Sequence, residues 1–377
     1  MPGPRIPIPP DLLPSDGRFG SGPSRIPVDG LEALAATGDR LMGTSHRQPG
    51  VKALVGAVRE GLADLYELPD GYEVIVGVGG ATAFWDMAAF GLIDHRSAHY
   101  VCGEFSSKFA AVTAGAPHLG SPVVIESPPG SAPVPVPNPD VDVAAFIHNE
   151  TSTGVVAAWE RFGDELVAVD ATSAAGAITV EPKTFDAYYF SPQKALGSEG
   201  GLWVALMGPA AIDRVERIAA SGRWIPPFLS LAAALDNSRK DQTYNTPAVA
   251  TLFLLRRRIE EILGSGGLAS AAAVCAASSE HLYAWADASP FAAPFVSDPA
   301  HRSPTVATID FVDGVDASEL ARHLRENGIV DTESYRKLGR NQLRIATFPT
   351  IPTDDVRALT VCIDHVVERL ADGEAGS

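Results

Sequence analysis

Three stretches of the 377-residue sequence hold residues whose types and order could do chemistry. The first is Val76-Gly-Val-Gly-Gly-Ala-Thr82, read where a short β-branched run ends and a helix over 83–92 begins. Glycines let the backbone approach an anion closely, and the free N–H groups at the positive end of a helix can hold a phosphate. As a dinucleotide fingerprint the run is imperfect, because G-x-G-x-x-G counted from Gly77 puts Thr82 at the third glycine. Alone, it reads equally well as a tight strand-to-helix turn. The second is Asp170, which closes the apolar run 166–169 and has Thr172 and Ser173 beside it. By itself such an acid is a common strand-to-loop cap. The third is Lys194, in Phe190-Ser-Pro-Gln-Lys-Ala-Leu-Gly197. A lone loop lysine is ordinarily a solvated charge.

In combination the three meet the needs of one cofactor, pyridoxal 5′-phosphate. The glycine turn and helix would hold its phosphate, Asp170 would keep its pyridine nitrogen protonated so that the ring draws electrons, and Lys194 would bond covalently to its aldehyde. No metal is expected. Cys102, Cys275 and Cys362 form no CxxC or Cys/His cluster with ligand spacing, and three cysteines cannot complete a disulfide framework. A reducing cytoplasm is the expected setting.

These residues need a scaffold that brings distant loops together. Short β-branched runs at 73–76, 99–101, 123–125, 143–147, 166–169, 187–190 and 202–206, with helical or loop segments between them, imply an α/β fold around a mostly parallel seven-stranded sheet. Val51, Leu54, Val55, Val58, Leu62 and Leu65 recur at helical spacing and should dock one helix on that sheet. Ligands of such sheets sit outside the carboxyl ends of the strands. The six prolines of 127–140 predict an extended surface connection. After Pro247 the chain turns helical, with Arg256, Arg257 and Arg258 expected as a solvated face. Beyond residue 265 the pattern is helix, strand (305–311), helix (317–327), strand (342–346) and helix (353–370), a smaller α+β unit. The expected division is an arm over 1–15, a large cofactor-binding domain over 16–264 and a small C-terminal domain over 265–377, to which the N-terminal segment contributes.

Composition excludes several classes. A net charge of −17 disfavours nucleic acid or an anionic membrane as the main partner, so local basic groups stand out as candidate sites for anionic ligands. The proline-rich N-terminus is neither a signal peptide nor a spanning helix, and no later stretch approaches the ~20 apolar residues that a membrane helix needs.

The motifs Phe19-Gly-Ser-Gly-Pro-Ser24, Ser45-His-Arg47, Gly79-Gly-Ala-Thr82, His148-Asn-Glu-Thr151, Val169-Asp170, Gln193-Lys194 and Tyr244-Asn-Thr-Pro247, with Arg336 and Arg344, occur in an order and spacing that resembles the phosphoserine aminotransferases. These are a class V branch of the fold-type I pyridoxal-phosphate enzymes. The resemblance implies that Gly80, Ala81, Thr82 and Gln193 hold the cofactor phosphate, with Asn245 and Thr246 of a second subunit, so that a homodimer shares its sites. It implies that Thr151 bonds the pyridoxal 3′-oxygen, that Asp170 meets the ring nitrogen with Thr172 close by, and that Lys194 is the covalent anchor. Phe105 stands where the family often places a stacking Trp. Arg344 is implied for the substrate α-carboxylate, and Arg336 with His46 and Arg47 of the partner subunit for the substrate phosphate. Tyr335 occupies the place of a family histidine, which marks a divergent branch.

The implied reaction moves an amino group between L-glutamate and 3-phosphohydroxypyruvate in serine biosynthesis; some relatives also serve the 4-phosphohydroxy-L-threonine step of vitamin B6 synthesis. The alternatives are an alanine–glyoxylate or serine–pyruvate type aminotransferase, a cysteine desulfurase-like lyase, a nicotinamide-dependent oxidoreductase built on the Gly77 turn, and a cofactor-free scaffold. A lyase would need a reactive cysteine after Lys194, and both candidates, Cys275 and Cys362, lie in apolar helical patterns.

Overall fold

The computed structural model describes residues 5–37 and 40–374. The first four residues of the expected arm and the last three of the expected C-terminal domain lie outside the described residues. Helices α1 (Val28–Thr37) and α2 (Pro49–Leu65) precede β1 (Glu73–Val78). Then come α3 (Ala81–Gly91), β2 (Ser97–Val101), α4 (Glu104–Gly115), β3 (Val123–Glu126) and β4 (Val143–Ile147). A short hairpin, β5 (Asn149–Glu150) and β6 (Val155–Val156), is followed by β7 (Leu166–Asp170), β8 (Ala187–Phe190) and β9 (Leu202–Met207). Helices α5 (Pro209–Ala220), α6 (Leu231–Ser238), α7 (Val249–Gly264) and α8 (Gly267–Ala288) lead to β10 (Ala292–Pro294), β11 (Val306–Phe311), α9 (Ala317–Glu326), β12 (Gln342–Ala346) and α10 (Thr353–Glu374).

The seven-stranded sheet runs β1-β9-β8-β7-β4-β2-β3. Only β9 is antiparallel to its neighbours, so the other six strands point their carboxyl ends the same way. Both faces are covered, which is why β4 and β7 are buried throughout and read as continuous apolar runs. Alternate residues feed two cores, as the period of a strand requires. Ala144, Phe146, Val167 and Val169 pack with α2 and α7, whereas Val143, Ala145, Leu166 and Ala168 pack with α3, α5 and α6.

A third core lies under the three-stranded antiparallel sheet β10-β11-β12 and its helices α8, α9 and α10. Ile8 and Phe19 belong to it, and Phe19 N–H donates to the Val330 carbonyl while its own carbonyl accepts from Ala346. The N-terminal segment is therefore part of this packing. The expected solvated face on α7 needs one correction. Arg256 and Arg257 are partly exposed, but Arg258 is buried and pairs with Glu261. Successive helical residues are rotated by roughly 100°, so three in a row cannot share a face.

Candidate active site

The carboxyl ends of β1, β2, β4, β7 and β8 converge on a cleft of about 350 Å³, and each delivers a loop to it. After β1, α3 begins at Ala81, two residues before its expected start. Gly80 is its extended N-cap, so the first helical N–H groups open directly onto the glycine turn. Gly79 has φ +125°, a conformation that a side chain rarely adopts, and an added Cβ there would meet the Ala83 Cβ at 3.0 Å. Nothing crowds the open side of Gly80, where the nearest atom to an added Cβ is Ser191 Oγ at 4.0 Å. The turn is therefore a cradle with room for an anion.

Asp170 ends β7 and is 6 % exposed. Its Oδ1 accepts from the backbone N–H (2.9 Å) and hydroxyl (2.6 Å) of Thr172, and its Oδ2 accepts from Trp85 Nε1 (3.2 Å). Burial pushes this carboxyl up, and those three donors, with the Lys194 amine, oppose the shift.

Lys194 is 7 % exposed, in the turn that follows β8. Its Nζ donates to Thr151 Oγ1 at 2.7 Å and lies 5.0 Å from the centroid of the Phe105 ring. Burial lowers its pKa to about 8, with Arg344 adding to the drop and Asp170 and Glu150 countering it. Gly22, at φ +145°, leaves room for the lysine chain, because an added Cβ would come within 2.8 Å of Lys194 Cε.

Arg344, on β12, reaches the cleft from the third core's sheet. Its guanidinium lies 5.3 Å from the Tyr335 ring centroid, and Nη1 donates to the Thr151 carbonyl at 3.4 Å. The Arg344 Nε is buried without a partner. The same holds for Ser21 Oγ, Asn149 Oδ1 and Gln193 Oε1, all on residues that line the cleft. Buried polar atoms are rarely left unpaired, so four of them around one concavity, two acceptors (Asn149 Oδ1, Gln193 Oε1) and two potential donors (Arg344 Nε, Ser21 Oγ), suit a polar occupant that both donates and accepts. With an acid, a lysine and a phosphate-sized cradle in the same wall, the residues fit pyridoxal 5′-phosphate.

The structure thus brings together Gly80, Ala81, Thr82, Phe105, Thr151, Asp170, Thr172, Gln193, Lys194 and Arg344. Arg336 lies just outside, in an adjoining cleft of about 640 Å³ that shares Ser21, Gly22, Pro23, Tyr335 and Arg344 with the inner one. His46, Arg47, Asn245 and Thr246 line neither cleft. Two of these four meet each other, with His46 Nδ1 3.2 Å from Thr246 Oγ1, and Arg47 and Asn245 are exposed. Nothing in the sequence marked Trp85, whose single N–H is shared between Asp170 and the Tyr189 hydroxyl; Ser173, noted beside Asp170, accepts from Asn149 and Thr151. Trp85 lies one helical turn beyond the start of α3 and lines the same cleft, but a Trp on an apolar helix gives no sign of this in the sequence. Cys275 and Cys362 are buried, with thiols pushed up to about 12 and about 11, and neither lines the cleft; this removes the lyase alternative.

Residues 135–332 match the aminotransferase class-V family, and with the sheet order and the cleft they define a fold-type I, pyridoxal-phosphate-dependent aminotransferase. A protein of Mycobacterium leprae is 59% identical over 370 residues, covering 97% of this chain and 98% of that one. One named phosphoserine aminotransferase, from Rhodococcus opacus, is 57% identical over 366 residues, covering 96% and 98%. The chain belongs to the phosphoserine aminotransferase family. Solved phosphoserine aminotransferases from Cytophaga hutchinsonii (TM-score 0.84, 23% identity, covering 93% of this chain and 99% of that one) and Bacillus circulans subsp. alkalophilus (0.83, 21%, covering 94% and 99%) share the fold. No single helix among the described residues is long and apolar enough to cross a membrane.

Proposed function

We propose that the enzyme transfers an amino group between L-glutamate and 3-phosphohydroxypyruvate, giving 2-oxoglutarate and O-phospho-L-serine for serine biosynthesis. The observation that carries this reading is the pair of cations on one continuous opening, Arg344 in the cleft of Lys194 and Arg336 in the cleft adjoining it, which suits a substrate with two anionic groups. Bound there, pyridoxal 5′-phosphate supplies an aldehyde that accepts the amino group and a protonated ring that withdraws electrons from the substrate Cα.

The chain's own residues do the rest. The N–H groups of Gly80, Ala81 and Thr82 and the positive end of α3 hold the phosphate, with Gln193 beside them. Asp170, fixed by Thr172 and Trp85, keeps a proton on the ring nitrogen. Thr151 offers its hydroxyl to the 3′-oxygen, and Phe105 covers one ring face and excludes water. The Lys194 amine, whose pKa burial lowers to about 8 in the cofactor-free chain, would be suited to move the Cα proton. Arg344 presents a planar donor edge to the α-carboxylate. Arg336 waits in the outer cleft for the substrate phosphate.

A homodimer would complete the site. His46 and Arg47 of the partner subunit would join Arg336, and Asn245 and Thr246 of the partner subunit would meet the cofactor phosphate. The exposure of Arg47, Asn245 and Thr246 on the single chain supports this reading. The division into residues 1–15, 16–264 and 265–377 is likewise proposed, supported by the separate core under β10-β11-β12.

Titrating the holoenzyme with O-phospho-L-serine, L-serine and L-alanine while following its visible spectrum tests the proposal. The phosphorylated amino acid should half-saturate at a concentration at least about tenfold below the other two, since a charge-assisted hydrogen bond contributes roughly 1.5–3 kcal/mol. A preference for serine or alanine would instead indicate the alanine–glyoxylate or serine–pyruvate type.

A further inference from the structure

Glu150, which has entered so far only through its charge acting on Lys194, is completely buried. Its two oxygens are surrounded by donors. Oε2 accepts from the backbone N–H groups of Phe105 (3.1 Å) and Ser106 (3.0 Å) and lies 2.9 Å from the Ser106 hydroxyl. Oε1 accepts from the Ser152 N–H (3.1 Å) and hydroxyl (2.6 Å). The Ser152 oxygen in turn accepts from the Glu104 N–H at 3.0 Å. The first three N–H groups of α4, which have no partner inside the helix, are thus all met by side chains of the 150–152 turn.

That turn also carries Thr151, bonded to Lys194, while the helix it caps carries Phe105 in its first turn. The approach is close enough that residue 103 has no space for a side chain. A Cβ there would meet Glu150 Cγ and Ser152 Oγ at 2.5 Å. The carboxylate is therefore a rivet between the wall that holds the lysine and the wall that holds the aromatic ring.

We propose that Glu150 is a positioning residue: by capping α4 from the neighbouring turn it fixes the Phe105 ring against the cofactor plane. This rests on the reading of Phe105 as the ring's stacking partner. Glutamine cannot replace it, because a backbone N–H faces each carboxylate oxygen, so either orientation of the amide turns its NH₂ group against a donor. The loss must pass through Phe105, and it must vanish when that ring is absent.

A double-mutant cycle on the full-length chain tests this, with the dissociation constant for pyridoxal 5′-phosphate read by visible absorbance and ring orientation by the circular dichroism of the bound cofactor. Glu150→Gln should raise the constant about tenfold and change the dichroic band, but should raise it less than about twofold in a Phe105→Ala background. Equal factors in both backgrounds would overturn the proposal and leave the stacking reading intact. A Phe105→Ala variant that binds the cofactor as tightly as the wild type would remove the stacking reading, and this proposal with it. Should Glu150→Gln fail to fold, Ser152→Ala, which deletes the link from Oε1 to the Glu104 N–H, enters the same cycle with the same criterion.

Discussion

The inner cleft and its cationic rim are built in different ways. Every inner group except Tyr335, Arg344 and the Ser21–Pro23 turn ends or follows a strand of one sheet, so the fold that buries the sheet also sets the site. The rim residues belong to the 336–338 turn and to surface segments of the single chain. One region is therefore fixed when the chain folds, whereas the other, on the proposed reading, is completed only by a second subunit and a substrate. The proposed function places chemistry common to many amino acids in the first and selection of one amino acid in the second.

Breaking the inner region should have the largest effect. Lys194→Ala should lower turnover roughly a thousandfold or more, as expected for loss of a general base that is also the covalent anchor. Its side chain lies in the cleft, not in any of the cores, so thermal unfolding should be near that of the wild type. Full activity in this variant would contradict the assignment. Asp170→Ala should slow the reaction about a hundredfold or more by removing the charge opposite the ring nitrogen. A substrate deuterated at Cα should show that proton abstraction has become slower.

At the rim the effect should be smaller and of another kind. Arg47→Ala should raise the Michaelis constant for O-phosphoserine about tenfold, with little change in turnover or in the constant for glutamate. An equal rise for both substrates would place Arg47 outside the phosphate site. The smallest difference concerns a proton. Burial disfavours the charged amine, so in the cofactor-free protein Lys194 should lose its proton at about pH 8 instead of the ordinary 10.5. Its labelling by an amine reagent, followed by peptide mass spectrometry, should rise to half-maximal near that pH. A midpoint above 10 would mean the amine is solvated.

The same contrast governs how much could be read from the sequence. The central strands were legible because strands covered on both faces are continuously apolar, as Val143–Ile147 is, whereas the edge strand Val123–Glu126 is half exposed and was legible from its β-branched residues alone. Asp170 and Lys194 were legible because each follows such a run. Trp85 and Glu150 were not, because their roles depend on hydrogen bonds across long sequence separations, to Asp170 and to the first turn of α4. A Trp on an apolar helix and an acid in a polar motif have many ordinary uses. Arg258 shows the reverse limit: a run of arginines looks solvated until helical rotation turns one of them inward. Where Arg336 sits was likewise fixed by the turn over 336–338, a feature with no periodic signature.

The proposed function requires the Lys194 amine to hold the cofactor covalently. Borohydride reduction of the purified holoenzyme, followed by proteolysis and mass spectrometry, should bleach the visible band and leave a phosphopyridoxyl group on the peptide containing Lys194 and on no other. A label on a different lysine, or none on a protein replete with cofactor, would rule out this role for Lys194.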